Sequence, residues 1–417
     1  MTSRPAEVLV LGAGLTGSGV ALELARRGVA VTLVDQDERA MNRASLRNEG
    51  KIHVGFIYAG DPSLATALLQ LDGALRFRTI VARWLGDAAA WQSLSTPFHY
   101  LVASDSIVPS EALARHYAAI ESHCRTALAA DEGLDYLGCR PDGLVRELTR
   151  DQIAAHFDPD RFIAGFATQE RAIDTELLAV AVRRAIDASP RVTFVPGRTV
   201  RTVEPTSTGF RVCGNSAGGQ WEMDAVQVVN ATWERRAALD AQLGIPAPAG
   251  LLHRLKYRAI VRLPDRLRGA PSVSMVLGRY GDIVVRPDGT AYLSWYPTGL
   301  RGWTHDLEPP LDWNPACRGD LTSEVAREVA DALRAGIDPW FPGIGESEPL
   351  RVDAGAIVAV GHSDVDDRNS GLHDRTRVGV VSHGGWHSVD PGKLTTAPRF
   401  ALEAADRVAA RCEGHPK

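Results

Sequence analysis

Between Val8 and Asp35 the chain reads VLVLGAGLTGSGVALELARRGVAVTLVD, and no other stretch of its 417 residues restricts the fold as much. Val8 to Leu11 is an apolar run long enough for one buried strand, and it ends in Gly12-Ala13-Gly14-Leu15-Thr16-Gly17. From Ser18 to Arg27 apolar residues recur at helical spacing (Val20, Leu22, Leu24, Ala25). Gly28 stops that helix, and Val29 to Val34 is a second β-branched run that ends at Asp35. Strand, glycine turn, helix, strand and acid in this register predict a dinucleotide site. Gly12 allows the tight turn, Gly14 lets the backbone approach a pyrophosphate, and Gly17 lets the helix pack close to the strand. The helix N-terminus adds free N–H groups and a positive dipole end. Asp35 stands where an acceptor for a ribose 2′-hydroxyl is expected, and its charge repels a 2′-phosphate, which disfavours NADP.

The length suits two domains or one large one. Hydrophobic residues make up 45% and charged residues 23%, the balance of a globular chain with a sizeable core. A net charge of −5 argues against a surface that coats nucleic acid. Only four of the 46 cationic residues are lysines, namely Lys51, Lys256, Lys393 and Lys417, so any lysine that is buried is of interest for function. The five cysteines (Cys124, Cys139, Cys213, Cys317, Cys412) are scattered without a CxxC or Cys/His cluster. That pattern predicts neither a metal site nor a disulfide framework. The first strand begins too near the start for a signal peptide, and no apolar run predicts an integral membrane segment. Together these readings point to a cytoplasmic, reduced setting.

A nicotinamide dehydrogenase would continue after Asp35 with another helix and strand. Here Asn42 to Gly60, NRASLRNEGKIHVGFIYAG, is polar and lacks helical periodicity in its middle, which suggests more cofactor to wrap around than NAD offers. Ser45, Arg47, Asn48, Gly50, Ile52, His53, Gly55 and Tyr58 within it resemble the FAD-dependent oxidoreductases of the D-amino-acid oxidase superfamily. The "IH-x-G" element and Pro62 to Ala74 resemble the branch of L-2-hydroxyglutarate and glycerol-3-phosphate dehydrogenases. The resemblance is strong for residues 8–74, 170–232 and 377–411 and weak elsewhere. It implies an α/β fold with a Rossmann-like FAD-binding domain discontinuous in sequence (1–90, 166–243 and 346–417). A mixed-sheet α+β substrate domain (91–165 and 244–345) is interleaved with it. The residue pattern predicts a helix over Thr175 to Asp187 with Asp174 as its cap. It predicts strands over Val192–Val195, Val200–Val203, Phe210–Cys213 and Asp224–Thr232. A second group of strands, His253–Leu263, Val273–Leu277, Asp282–Val285 and Ala291–Tyr296, includes a Pro287-Asp288-Gly289 turn.

By the same resemblance, FAD would be held by Gly12, Gly14, Leu15, Thr16 and Gly17, and by Asp35 and Gln36. Ser45, Asn48, Gly50, Lys51 and His53 would run beside the flavin. Val200 would touch the adenine and Thr232 the pyrophosphate, although Trp233 stands where glycine is usual. Gly385, Gly392, Lys393, Leu394 and Thr395 would complete the set, with the Gly-Lys-Leu-Thr-Thr run setting the last helix against the pyrimidine edge of the flavin. No second GxGxxG is present to serve NADH, so electrons would come from a small-molecule substrate and leave to oxygen or another acceptor. The implied reaction oxidises a C–H bond next to an amine or hydroxyl, by hydride transfer to flavin N5, on a substrate that can include a carboxylate. Histidine titrates near neutral pH, which makes His53 the first candidate for the base, with covalent flavin attachment or a structural hydrogen bond as its other roles. Lys51 could assist reaction with oxygen or form a salt bridge. Tyr257, Arg258, Tyr292 and Tyr296 fall on strands that wall the substrate pocket in this superfamily. A substrate carboxylate would want an arginine fork, for which Arg258, Arg279, Arg286 and Arg375 are candidates. His383 and His387 flank a turn expected near the site, in a loop unsuited to metal binding. The alternatives are an NAD-dependent dehydrogenase, a flavin-dependent hydroxylase and a catalytically silent flavin-binding protein. The Asn42–Gly60 loop and the Gly-Lys-Leu-Thr-Thr run count against the first, and His53 counts against the last.

Overall fold

A computed structural model of the chain describes residues 6–413. The strand Ala6–Leu11 lies at the centre of the first of two large sheets. It pairs in parallel with Val31–Val34 on one side and with Gly219–Asn230 on the other. Val192–Val195 extends the sheet beyond Val31–Val34, and Trp386–Asp390 then Gly379–His383 extend it beyond Gly219–Asn230. A meander of Thr199–Thr206 and Gly209–Ser216 runs antiparallel into Gly219–Asn230. Helices Leu15–Arg26, Ala65–Leu85 and Ala397–Glu413 pack together against this sheet. Val8, Val10, Val20, Leu24, Val81, Ala401 and Val408 are fully buried in the core they share.

The second sheet has nine strands, ordered Leu300–Thr304, Leu251–Arg262, Thr290–Trp295, Gly281–Val285, Ser272–Val276, Phe98–Ala103, Phe162–Thr168 and Val145–Glu147, with Glu348–Val360 also on Leu251–Arg262. It is mixed: Ser272–Val276 runs parallel to Phe98–Ala103, and the other pairs are antiparallel. A two-stranded ladder, Lys51–Ile52 against Arg171–Ala172, ties the polar loop to the segment that leaves this sheet.

Two strands depart from the sequence reading. Glu348–Val360 was expected in the third cofactor-binding segment, 346–417. It instead pairs along its length with Leu251–Arg262, from Leu251 opposite Val360 to Arg262 opposite Glu348, so the second sheet continues past residue 345. Its partner lies almost a hundred residues upstream, where no local pattern announces it. His383 to His387 was expected to be a loop. Gly384 (φ +59°) and Gly385 (φ +98°) form a tight turn, and Trp386–Asp390 returns as a strand with Trp386 opposite His383. Left-handed residues at both turn positions match the right-handed twist of the strands, so this glycine pair makes a hairpin.

Among the described residues no helix is long and apolar enough to cross a membrane. One buried charge holds two helices of the first domain. Glu23 is fully buried and accepts from Arg27 Nε at 2.9 Å, Arg83 Nη2 at 2.7 Å and Trp84 Nε1 at 3.0 Å. Burial pushes its carboxyl up, but these bonds outweigh burial and hold it below 4.5. Its contribution is therefore present above that pH and lost as pH falls through the lowered value. Glu23→Gln should cost about 2 kcal/mol of stability at pH 7, less than a fully enclosed pair because Arg83 is half exposed. Urea midpoints measured from pH 7 downward should show the deficit shrinking in acid.

Candidate cofactor and substrate site

The glycine turn is closed by backbone contact. A Cβ on Gly12 (φ +91°) would lie 2.6 Å from the carbonyl oxygen of Ala231, and one on Gly17 would lie 1.9 Å from that of Gly12. A Cβ on Gly14 would press on Ser45 Oγ at 2.8 Å. Gly14 at the N-cap has no side chain to cap the helix that begins at Leu15; Ser45 Oγ accepts from the Leu15 N–H at 2.9 Å, and the next N–H groups of the first turn are left for an acceptor in the adjoining cavity. Asp35 accepts from the N–H groups of Ala13 at 2.6 Å and Asp37 at 2.8 Å. Desolvation in the cavity wall outweighs those bonds and pushes its carboxyl up to about 6. Trp233 adopts the left-handed conformation (φ +52°) that glycine would take. Its indole turns toward the second sheet, where Nε1 donates to Ala356 O at 2.9 Å.

The inner end of the same cavity is built from side chains. The Lys51–Ile52 ladder delivers His53, whose backbone N–H donates to Thr395 Oγ1 at 2.9 Å. The His53 ring is buried between two carboxylates, with Nε2 3.7 Å from Glu49 and Nδ1 3.7 Å from Glu170. Glu170 is fully buried and accepts from the Val54 N–H at 2.7 Å and from the Tyr100 hydroxyl. Burial favours the neutral form of Glu49, but Lys256, His53 and Lys393 hold its carboxyl well below the usual range. Lys51 Nζ pairs with Asp282 at 2.7 Å, donates to Ser274, and lies 4.2 Å from the centre of the Phe98 ring. Asp282 would rise on burial, yet the charges of Lys51 and Lys256 keep it lowered. Desolvation, with repulsion from Arg375, Lys256 and Arg254, takes Lys393 down to about 8 although Glu49 opposes the shift. Lys51, Lys256 and Lys393 thus border one cavity, in a chain whose only other lysine, Lys417, lies outside the described residues.

The cavity wall brings together Gly12, Gly14, Leu15, Thr16, Asp35 and Gln36 with Ser45, Asn48, Lys51 and His53. Val200, Thr232, Gly392, Lys393, Leu394 and Tyr296 border it as well. Other residues singled out from the sequence lie elsewhere. Gly17 and Gly50 serve close packing, since a Cβ on Gly50 (φ +74°) would lie 2.1 Å from Ile173 O. Thr395 is buried under His53, and Gly385 sits in the hairpin turn, within 3.5 Å of Phe210 and Val226 atoms if it carried a Cβ. Tyr257 and Arg258 are neighbours on one strand and so point to opposite faces. Tyr257 packs against the cluster that holds Leu255, Trp313 and Cys317. Arg258 is locked in a buried pair with Asp353 at 2.5 Å and donates to Asn48 O at 3.3 Å. The same strand reaches the cavity with Arg254 and Lys256, which share the parity of Arg258; Lys256 drew notice from the sequence only as one of four lysines, and Arg254 drew none. Of the other arginine candidates, Arg375 borders the cavity. Arg279 is half exposed beside Asp364, and Arg286 lies 3.7 Å from Asp174. His387 is buried against Gln227 and Ser382, and His383 is exposed. Glu170 was also missed, because a lone acid between Gln169 and Arg171 carries no local signal.

A family model described as DAO, FAD dependent oxidoreductase, matches residues 7–407. The chain belongs to this family. FAD is therefore its cofactor, and the residues present in this oxidoreductase suit that group. The glycine cradle and the first turn of the helix suit a pyrophosphate. Buried Arg47 Nη1 and His53 Nδ1, both in residues of the cavity wall, make no hydrogen bond within the protein. The fold is similar to that of glycine oxidase from Geobacillus kaustophilus (TM-score 0.68, 16% identity, 97% of this chain and 94% of that one). It is also similar to L-proline dehydrogenase from P. horikoshii (TM-score 0.64, 15% identity, 99% and 95%). Iminodiacetate oxidase from Chelativorans sp. BNC1 has TM-score 0.64 and 18% identity, with 97% and 95% covered. A shorter match, 42% identical over 84 residues, is to the tRNA 5-methylaminomethyl-2-thiouridine biosynthesis bifunctional protein MnmC of Chromohalobacter salexigens. It spans 20% of this oxidoreductase and 11% of that protein.

A carboxyl raised in the folded protein stabilises it below the ordinary pKa and loses that contribution as pH rises through the raised value. For Asp35 the window runs from 3.8 to about 6. Asp35→Asn should therefore flatten the dependence of the flavin-free protein's melting temperature on pH across that window, because the titrating group is gone; one of the two N–H groups that Asp35 binds loses its acceptor. The substitution should at the same time reduce the FAD retained after gel filtration.

Proposed function

We propose that this protein oxidises the C–H bond next to an amine or hydroxyl group of a small acid, with oxygen or another acceptor taking the electrons onward. The observation that carries this reading is the position of His53, in the wall of the cavity that also holds the glycine cradle and within 3.7 Å of two carboxylates. Bound FAD supplies the two-electron acceptor. His53, held at its N–H by Thr395, takes the proton of the amine or hydroxyl. Glu49 and Glu170 fix the ring and offset the charge that it gains. Lys256 and Lys393 offer positive charge to the substrate's acid group. Leu277, Val365 and Leu372 add apolar surface to the cavity wall and limit water.

Two supports point to different substrate classes. The similar structures named above are named for glycine, proline and iminodiacetate, which favours an amine. The Ile52-His53-Val54-Gly55 element and the Gly392–Thr396 run favour the branch of L-2-hydroxyglutarate and glycerol-3-phosphate dehydrogenases, and hence a hydroxyl. Purified protein should be yellow, and acid should release FAD into the supernatant; colour left in the pellet would mark a covalent link. Anaerobic addition of amino acids and hydroxy acids in turn should bleach the visible band with one class and not the other. His53→Asn should slow bleaching about 10²- to 10⁴-fold with flavin still bound. An unchanged rate would remove His53 as the base, and colourless protein that binds NAD would overturn the whole reading.

A further inference from the structure

The inner wall of the cavity holds more positive charge than its own carboxylates answer. Lys51 is met by Asp282, and Lys256 and Lys393 share Glu49. Arg254 Nη1 reaches Asp364 at 3.3 Å, but its buried Nε has no partner. Arg375 pairs with no carboxylate among the described residues. Its Nε and Nη1 donate to the carbonyls of Leu372 at 3.2 Å and Val358 at 2.9 Å. Desolvation and the charge of Arg254 both act against the Arg375 guanidinium. Arg254 and Arg375 are 2% and 8% exposed, so two repelling cations are held largely out of water, an arrangement that is costly unless an anion joins them. Beside them the buried Tyr58 hydroxyl and His373 Nε2 also lack partners. All four side chains border the cavity.

We propose that Arg254, Arg375, Tyr58 and His373 form a second anion subsite, so that the substrate carries two acid groups. One acid group meets Lys256 and Lys393, and the other enters this subsite. The inference rests on reading the cavity as a substrate-oxidising site. The shared chemistry is a second carboxylate or a phosphate monoester, either of which matches a guanidinium fork and two further donors.

The test uses the purified holoenzyme at fixed ionic strength, with flavin content read first from the visible band. Butyrate, succinate and phosphoglycolate, the last a carboxylate with a phosphate monoester, are titrated separately, and each dissociation constant is taken from the flavin spectrum and from the melting temperature. A dianion with two acid groups should bind about 10- to 100-fold more tightly than butyrate, and the better of succinate and phosphoglycolate names the second group. Arg375→Gln should bring the dianion and butyrate within about fivefold, the scale of an exposed charge. Arg375→Lys should keep most of the preference, and Arg262→Gln, on an exposed strand end, should keep all of it. Arg254→Gln gives the same comparison if Arg375→Gln does not fold. Equal binding of butyrate and both dianions by the wild type, or a preference unchanged in both glutamine variants, overturns the subsite. Colourless protein would refute the redox reading instead, and the melting series on it would still report the anion preference.

Discussion

Three backbone segments meet in this protein with no side chain between them, and the rest of the structure is hung on that contact. Gly12, Gly17 and Ala231 touch at distances that a single Cβ would violate. The contact fixes the first helix against the central strand and brings the end of Gly219–Asn230 beside the turn. It also sets Asp35 where its carboxylate can bond the Ala13 N–H across the turn. That end of the cavity is stiff because it is made of main chain. The inner end is assembled from side chains that arrive from both sheets. The short ladder of Lys51–Ile52 with Arg171–Ala172 is the joint that lets them meet.

This division explains what could be read from the chain in advance. Phosphate binding imposes a backbone geometry, backbone geometry demands glycine at fixed intervals, and Gly12, Gly14 and Gly17 therefore announce themselves. The polar loop from Ser45 to His53 and the run from Gly392 to Leu394 were singled out by resemblance instead, and both border the cavity. Glu170 was not, since its role comes from a fold that carries it to His53 from over a hundred residues away. Tyr257 was chosen from the right strand with the wrong parity, whereas Arg258 shares the parity of Lys256 but is taken up by Asp353. A one-residue change of register exchanges the faces of a strand, and only the pairing with Glu348–Val360 decides which face meets the cavity. Trp386–Asp390 was hidden by its own turn, because Gly384 and Gly385 look like an irregular loop until the strand beyond them is seen.

The use of lysine is informative against so much arginine. A guanidinium stays charged in any surroundings, whereas an ammonium can be tuned by burial and neighbours. Lys393 is tuned, down to about 8, while Lys256 is driven the other way because Tyr292, Tyr296, Glu49 and Asp282 outweigh desolvation. Two lysines near one carboxylate thus differ in how readily each gives up its proton. The wall offers one fixed charge and one adjustable charge, beside the fixed guanidinium pair of Arg254 and Arg375.

Trp233 makes the two ends of the cavity mechanically dependent. A left-handed tryptophan costs roughly 1–2 kcal/mol relative to a relaxed backbone, and here it is held by a bond to Ala356 in the second sheet and by packing on Ala237, Leu251 and Val358. A glycine at this position would remove one tie to that sheet and leave the contact of His253 Nε2 with Glu234 O, at 3.0 Å. With tryptophan the strand Glu348–Val360, which also pairs with the segment carrying Arg254 and Lys256, is fastened to the main chain beside Thr232. If a ligand at one end shifts this indole, reciprocity requires a ligand at the other end to be affected by the same factor.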